Sequence, residues 1–254
     1  MTAKYNVPAL EKSIAILNLI AESQGEYTIT EIHKKLAISK TTVFSIIKVL
    51  EEHDIVKKNE KGEYKTGVKL YELGMSYISE VDIVKIARPY IENLMEETGY
   101  TVHLGVIDEG ELLYVDKVEP NSFIRFSTYP GLRSEFHVTS LGKAIAAYLT
   151  EQELDDIIAR KGLAIHTPHT ITDVDEFKEA LKEIRNVGHA IEDEEGEIGV
   201  RCIGVPVFNE NNVVASVSIV GHSSMLSFQN AHELIERLKR VAQNISKELG
   251  SVNY

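Results

Sequence analysis

The 254-residue chain has a single cysteine, Cys202, no tryptophan and only six prolines. One thiol excludes an intramolecular disulfide and any zinc site built on several thiolates, so a reducing compartment is expected. No apolar run reaches the roughly eighteen residues needed to cross a bilayer, and charges interrupt the opening stretch MTAKYNVPALEKSIAILNLI, so neither a membrane span nor a secretory signal is expected. The expected location is the cytoplasm. Arginine is absent from the first 70 residues. Disorder is excluded by a 43% hydrophobic content, and at this length two modest domains are expected to bury their own cores without metals or disulfides.

Net charge is −12, unevenly shared. Residues 1–70 carry 11 Lys against 9 acidic residues, a net of +2, which leaves −14 for the remainder. A phosphate binder needs a positive face. Only the N-terminal part provides one, which implies separate tasks for the two parts.

Hydrophobic periodicity predicts a first helix with Leu10, Ile14, Leu17 and Ala21 on its buried face, Ile16 and Ile20 flanking, and Gly25 as its stop. Thr28 followed by Glu31 is a capping box for a short helix from Ile29 to Leu36. After a tight break at Ala37 to Ser39, the stripe Val43, Ile46, Ile47 and Leu50 predicts a third helix capped by Ser39. Two short strands, Ile55–Lys58 and Glu63–Thr66, follow around a Gly62-containing loop. The order is that of a winged helix-turn-helix over residues 1–68, mostly α with a β-wing, continued by an amphipathic linker helix over 69–80. Residues 81–254 read as an α+β domain. Its strands are expected at VHLGVI, LLYVDKV, 123–127 (FIRFS), 135–138 (EFHV), 189–193, 200–208 and 213–220. RCIGVPVF and VVASVSIV, the most apolar stretches, form the centre of an antiparallel sheet. Helices are expected near 83–97, 140–149, 151–160, 173–187 and 228–249.

The outer face of the third helix presents Thr41, Ser45, Lys48 and Glu52 with Thr42 beside them, preceded by Ser39 and Lys40. Hydroxyls pair with base edges or phosphates, and lysines supply the charge. Lys57, Lys58, Lys61 and Lys65 cluster around the hairpin tip, where a wing lies against the DNA backbone. Without arginine the commonest guanine reader is missing, so DNA shape and dimerisation are expected to carry part of the specificity. By pattern alone, these surfaces are also compatible with the solvated faces of a helical interaction module.

In the second domain, His137, Thr139, Ser140, Leu141 and Gly142 open the helix GKAIAAYL, whose first-turn N–H groups suit an anion. Ser216 and Ser218 share a strand face, with Cys202 in the adjacent strand. Small hydroxyls and a thiol are also tolerated in cores, and Thr139 also suits a plain N-cap. His166 and His169 have a pair spacing seen at metal sites, but Pro168 between them and the lack of a second pair favour a solvated loop. Cys202 with His137 makes a poor nucleophile and base, because a mid-strand thiol in an apolar run has a raised pKa.

ALEKSIAILNLIAE, LAISKTTVFSIIKVLEEHDIV and YKTGVKLYELG resemble the N-terminal domain of IclR-type bacterial transcriptional regulators. HLGVIDEGELLYVDKVE, SLGKAIAAYL, IEDEEGEIGVRCIGVPVF and VVASVSIVG resemble that family's C-terminal domain, in the same order. The resemblance implies a GAF-like effector-binding domain and a homodimer or homotetramer on a roughly palindromic operator in double-stranded DNA, with repression the expected sign and no cofactor. It also implies ligand contacts at Ser140, Leu141, Glu192, Cys202, Ser218 and Val220. Three of these depart from frequent family choices: Glu192 is longer than aspartate, Leu141 is larger than usual, and Val220 replaces serine. Ile124 and Phe126 are expected as apolar walls, with Arg125 pointing away by strand alternation. The expected effector is a small organic acid. An enzyme of GAF-like fold with an accessory winged helix is the competing reading, disfavoured by the missing activated nucleophile or metal cluster. A winged-helix adaptor is the third.

Overall fold

The computed structural model describes residues 7–22, 27–80, 82–122, 125–210 and 212–251. The chain divides into two compact units, Met1–Glu80 and Val81–Tyr254.

In the first unit, helices α1 (Pro8–Glu22), α2 (Ile29–Leu36) and α3 (Lys40–Glu52) precede a two-stranded antiparallel hairpin, β1 (Val56–Lys58) and β2 (Tyr64–Thr66), and helix α4 (Val68–Glu80). Thr28 and Glu31 form the reciprocal capping box that starts α2. The helix ends on Ala37 in the left-handed conformation, φ 53°, and His33 Nδ1 meets the Ile38 carbonyl at 2.7 Å across the turn. These contacts fix the angle at which α3 leaves α2. The core is Ile16, Ile20, Ile32, Ile38, Val43, Ile47, Leu50, Val56 and Tyr64.

The buried face of α1 differs from the expected one. Ile16 and Ile20 are buried, whereas Leu10 and Ile14 are 57% and 49% exposed. The stretch IAILNLI is apolar almost all round the helix, so period alone does not select a face, and contact with α2, α3 and β2 does. Gly25 lies outside the described residues.

The second unit is built on a six-stranded antiparallel sheet in the order β5-β4-β3-β8-β7-β6. The strands are β3 (Thr101–Asp108), β4 (Glu111–Val118), β5 (Arg133–Glu135), β6 (Ala190–Asp193), β7 (Val200–Asn209) and β8 (Asn212–His222). Helices α5 (Asp82–Thr98) and α9 (Phe228–Glu248) pack on one face through Ile91, Leu94, Leu234, Leu238 and Ile245 against Leu104, Ile203, Val205, Val217 and Ile219. Strand alternation sends the neighbouring residues His103, Gly105, Cys202, Gly204, Ser216, Ser218 and Val220 to the opposite face. That face meets helix α6 (Ser140–Ala146), while α7 (Glu151–Lys161) and α8 (Val174–Val187) pack with α6 around Phe136, Ala144, Leu154 and Phe177.

Among the described residues, two expected strands do not form as expected. Of the segment 123–127, residues 123 and 124 (Ile124 among them) lie outside the described residues, and Arg125 to Ser127 form a loop. Lys117 Nζ donates to the carbonyls of Phe126 and Thr128 at 2.9 and 3.0 Å, so an ammonium takes the place of a neighbouring strand. The segment 135–138 leaves β5 at Glu135 and turns into a one-turn 3-10 helix, Phe136–Val138. The turn lets Gly142 seat against the Phe136 backbone, where a Cβ would come within 2.1 Å of the Phe136 carbonyl oxygen.

Candidate nucleic-acid interface and effector cavity

On α3, burial of Val43, Ile47 and Leu50 turns Lys40, Thr41, Phe44, Ser45 and Lys48 to the surface. Ser39 caps the helix by accepting from Thr42 N at 3.3 Å. Its hydroxyl also bonds those of Thr41 (3.1 Å) and Thr42 (2.8 Å). Ser45 Oγ donates to the Thr41 carbonyl at 3.0 Å, and Lys48 is paired with Glu51 at 2.8 Å. The hydroxyls expected at the groove are therefore already engaged, retaining lone pairs to accept with. In the hairpin, Lys57, Lys58 and Lys61 are exposed, and the Lys58 ammonium lies 5.6 Å from the centre of the Tyr64 ring. Phe44, not among the residues expected at the groove, is 51% exposed in the middle of this face.

The second unit contains a cavity of about 440 Å³ whose floor is the sheet and whose side is the start of α6. Phe126, Thr139, Ser140, Leu141, Glu192, Cys202, Ser218 and Val220 line it. Register explains the grouping: Glu192 stands opposite Cys202, Cys202 opposite Val220, and His103 opposite Ser218. Gly204 lets α6 approach the sheet, and Ser216 Oγ pins it by donating to the Leu141 carbonyl at 2.9 Å.

Two placements correct the sequence reading. His137 is not a wall of this cavity; its Nε2 meets the Ala164 carbonyl at 2.9 Å, and it borders a separate crevice with Glu111, Glu135 and Lys161. The one-turn helix that replaces the expected strand turns it away. Arg125 lines the cavity because the segment carrying it is a loop without strand alternation; its guanidinium stands 3.8 Å from Glu119. His103, Tyr114, Thr128, Ser134 and His166 also line the cavity, beyond the residues expected from the sequence. Alternation within VHLGVI placed His103 on the same face as the two serines, which was the available signal.

Thr139 accepts from Gly142 N at 3.0 Å, and its carbonyl takes Lys143 N. The amides of Ser140 and Leu141, in the first turn of α6, have no carbonyl four residues back within the helix. Ser140 Oγ is buried without a hydrogen-bond partner and borders the cavity. Opposite lies a buried acidic group. Glu192 accepts from the Glu195 and Gly196 amides at 2.7 and 3.2 Å, and burial raises its pKa. Burial likewise pushes the Cys202 thiol up, with the Glu192 charge adding to it, which removes it from nucleophilic roles. Lys143 is buried against Glu195 and donates to the Ile191 carbonyl at 2.8 Å. His103 meets Thr128 Oγ1 at 2.7 Å and lies edge-on to Tyr114. Its burial, with Lys117 nearby, lowers its pKa to about 3, so the imidazole is neutral. His166 lies 2.8 Å from Glu135, and among the described residues no group of three or more His, Cys, Asp or Glu is arranged to hold a metal ion. No described helix is long and apolar enough to cross a membrane.

A winged helix-turn-helix with a lysine-bearing face, joined in one chain to an α+β domain enclosing a ligand-sized cavity, defines a DNA-binding transcriptional regulator governed by a small molecule. Models of the IclR helix-turn-helix domain and of the bacterial transcriptional regulator IclR C-terminal domain match residues 9–60 and 75–247. The chain is 33% identical over 246 residues to the HTH-type transcriptional regulator XynR of Escherichia coli K12, covering 96% of this chain and 98% of that protein. It is 31% identical over 250 residues to the transcriptional repressor AllR of the same strain, covering 98% and 92%. The crystal structure of the Thermotoga maritima IclR superposes with a TM-score of 0.84 at 35% identity, over 95% of this chain and 98% of that one. The chain belongs to the IclR family of bacterial transcriptional regulators. It is a regulator and not an enzyme.

Proposed function

We propose that the protein is a cytoplasmic repressor, acting as a homodimer or homotetramer, whose operator affinity is set by a small hydroxylated organic acid bound in the α+β domain. The observation that carries this reading is the two-sided chemistry of the cavity. One side offers the Ser140 and Leu141 amides, the unpartnered Ser140 hydroxyl and the Arg125 guanidinium. The other offers Glu192 and Ser218. A carboxylate fits the first set and hydroxyls fit the second. The name of the similar AllR supports repression. An effector that prefers one arrangement of the sensor domains biases the spacing of paired α3 helices, and the linkage is reciprocal. The domain limits that follow are 1–68 for the winged unit, 69–80 for the linker helix and 81–254 for the sensor.

Calorimetry on the full chain with keto acids, sugar acids and aromatic acids tests the cavity. Ser140→Trp fills it and abolishes the effector's influence on DNA while leaving ligand-free operator affinity unchanged. Binding of neutral ligands alone, or unaltered acid binding to Ser140→Trp, rejects the anion site. For the wing, Lys57→Ala and Lys58→Ala each weaken specific and random DNA alike and flatten the salt slope by about one unit.

A further inference from the structure

We propose that Phe44 reads thymine in the operator by packing its ring against 5-methyl groups in the major groove, an inference that rests on the DNA-binding reading of α3. Residues 40, 44 and 48 form one line along the helix and 41, 45 and 49 the next. Phe44 thus stands between Lys40 and Lys48, beside Thr41 and Ser45, half exposed at 51%. Between Glu31 and Glu51 the sequence contains no acidic residue, so this ring lies in the part of the unit best suited to approach phosphates. Val49, also exposed, is one turn further on, beside Glu52, whose charge is repelled by the DNA backbone.

The hydroxyl network sharpens the assignment. Ser39, Thr41 and Thr42 bond one another, and Ser45 donates to the Thr41 carbonyl. The short polar groups are thereby committed to the helix, and Phe44 is the large group on this face with nothing polar to satisfy. A phenyl ring has no donor or acceptor for a base edge, and the apolar feature a base pair presents in the major groove is the thymine methyl. A second copy of the chain is a poorer occupant, because face-to-face contact would bring the Lys40 ammonium groups of two copies together, and Glu51, the acid beside Lys48, is already paired with it.

The probe is a duplex selected by the wild-type chain from a randomised pool of roughly 30 base pairs, with each thymidine then replaced in turn by deoxyuridine. Wild type is expected to lose about fourfold affinity at one or two positions, the penalty for one methyl left out of an apolar contact. Phe44→Ala is expected to bind the thymidine duplex more weakly and to be indifferent to deoxyuridine, and Phe44→Leu to keep part of the discrimination. Because the ring is half exposed, both variants should melt with the parent. Tolerance of deoxyuridine everywhere by wild type, or a deoxyuridine penalty that persists in Phe44→Ala, overturns the proposal while leaving DNA binding intact. Failure to select any duplex overturns the DNA-binding reading itself, and this inference with it.

Discussion

A methyl group added at Gly204 tests how α6 builds the effector site. An ideal Cβ there falls 2.6 Å from the Ser140 carbonyl oxygen, 2.7 Å from its carbon and 3.1 Å from Leu141 N. All three are backbone atoms, so no side chain can rotate aside. Restoring a carbon–oxygen contact of about 3.3 Å requires the start of α6 to move by roughly 0.7 Å. Overpacking of this kind costs about 1–3 kcal/mol, which in a unit of this size lowers the melting temperature by roughly 3–10 °C. The same displacement takes the Ser140 and Leu141 amides from about 2.9 Å to about 3.6 Å from a bound carboxylate, beyond hydrogen-bonding distance. Losing one charge-assisted bond of about 1.5–3 kcal/mol weakens the effector roughly tenfold to a hundredfold. Gly105→Ala is the control. Its Cβ meets Leu112 Cδ1 at 2.9 Å and Leu141 Cδ1 at 3.1 Å, flexible ends that swing away at a cost below about 1 kcal/mol. Thermal melts of the ligand-free full-length variants, followed by calorimetry with the acid that wild type binds, read both effects. Equal melting temperatures for Gly204→Ala and wild type, or a larger loss in Gly105→Ala, would refute the reasoning.

Lys143→Met leaves Glu195 buried without its partner, and roughly 3–5 kcal/mol of stability is expected to disappear in denaturant titrations. A second change, Glu195→Gln, should restore part of it, and a double variant no more stable than Lys143→Met would contradict the pairing. The His103 pKa, lowered to about 3 from 6.5, means that the unfolded chain binds more protons between those values, so stability falls as pH drops below about 6.5. The slope from this group is at most about 1.4 kcal/mol per pH unit, and His103→Gln should flatten the acid limb of a pH-stability profile. An unchanged limb would show that the imidazole is charged in the folded state.

Much of this architecture is legible in the sequence, for reasons that lie in particular residues. Thr28 and Glu31 fixed the start of α2 because a capping box is a local, reciprocal pair of bonds. Val43, Ile46, Ile47 and Leu50 marked the buried face of α3 because they follow helical spacing while Thr41, Ser45 and Lys48 on the other side give contrast. The α1 stripe lacked that contrast, and its burial was decided by tertiary contact. The loop at 125–128 has the alternation of a strand, yet its carbonyls are held by Lys117 and its Thr128 hydroxyl by His103, partners 9 to 25 residues away in sequence. Most of the expected cavity residues lie together because register brings Glu192, Cys202 and Val220 into one row. Arg125 and His137 exchanged their expected places for different reasons: Arg125 was placed by a strand alternation that the chain does not adopt, and His137 by its nearness to the start of α6, where the 3-10 turn Phe136–Val138 directs it to another crevice.

The two outermost strands, β5 and β6, have three and four residues, whereas the interior strands β7 and β8 have ten and eleven. Short borders leave few free amides and carbonyls in a row, too few to recruit another polypeptide by continuing the sheet. RCIGVPVF and VVASVSIV pair with each other along their length, and on their outer sides β6 covers Arg201–Gly204 and β3 covers Ser216–Val220, so most of these sticky segments becomes available only when the α+β unit opens. Solubility and folding of the sensor domain are in this way a single property: a variant that loosens the sheet exposes the part of the chain most prone to precipitate.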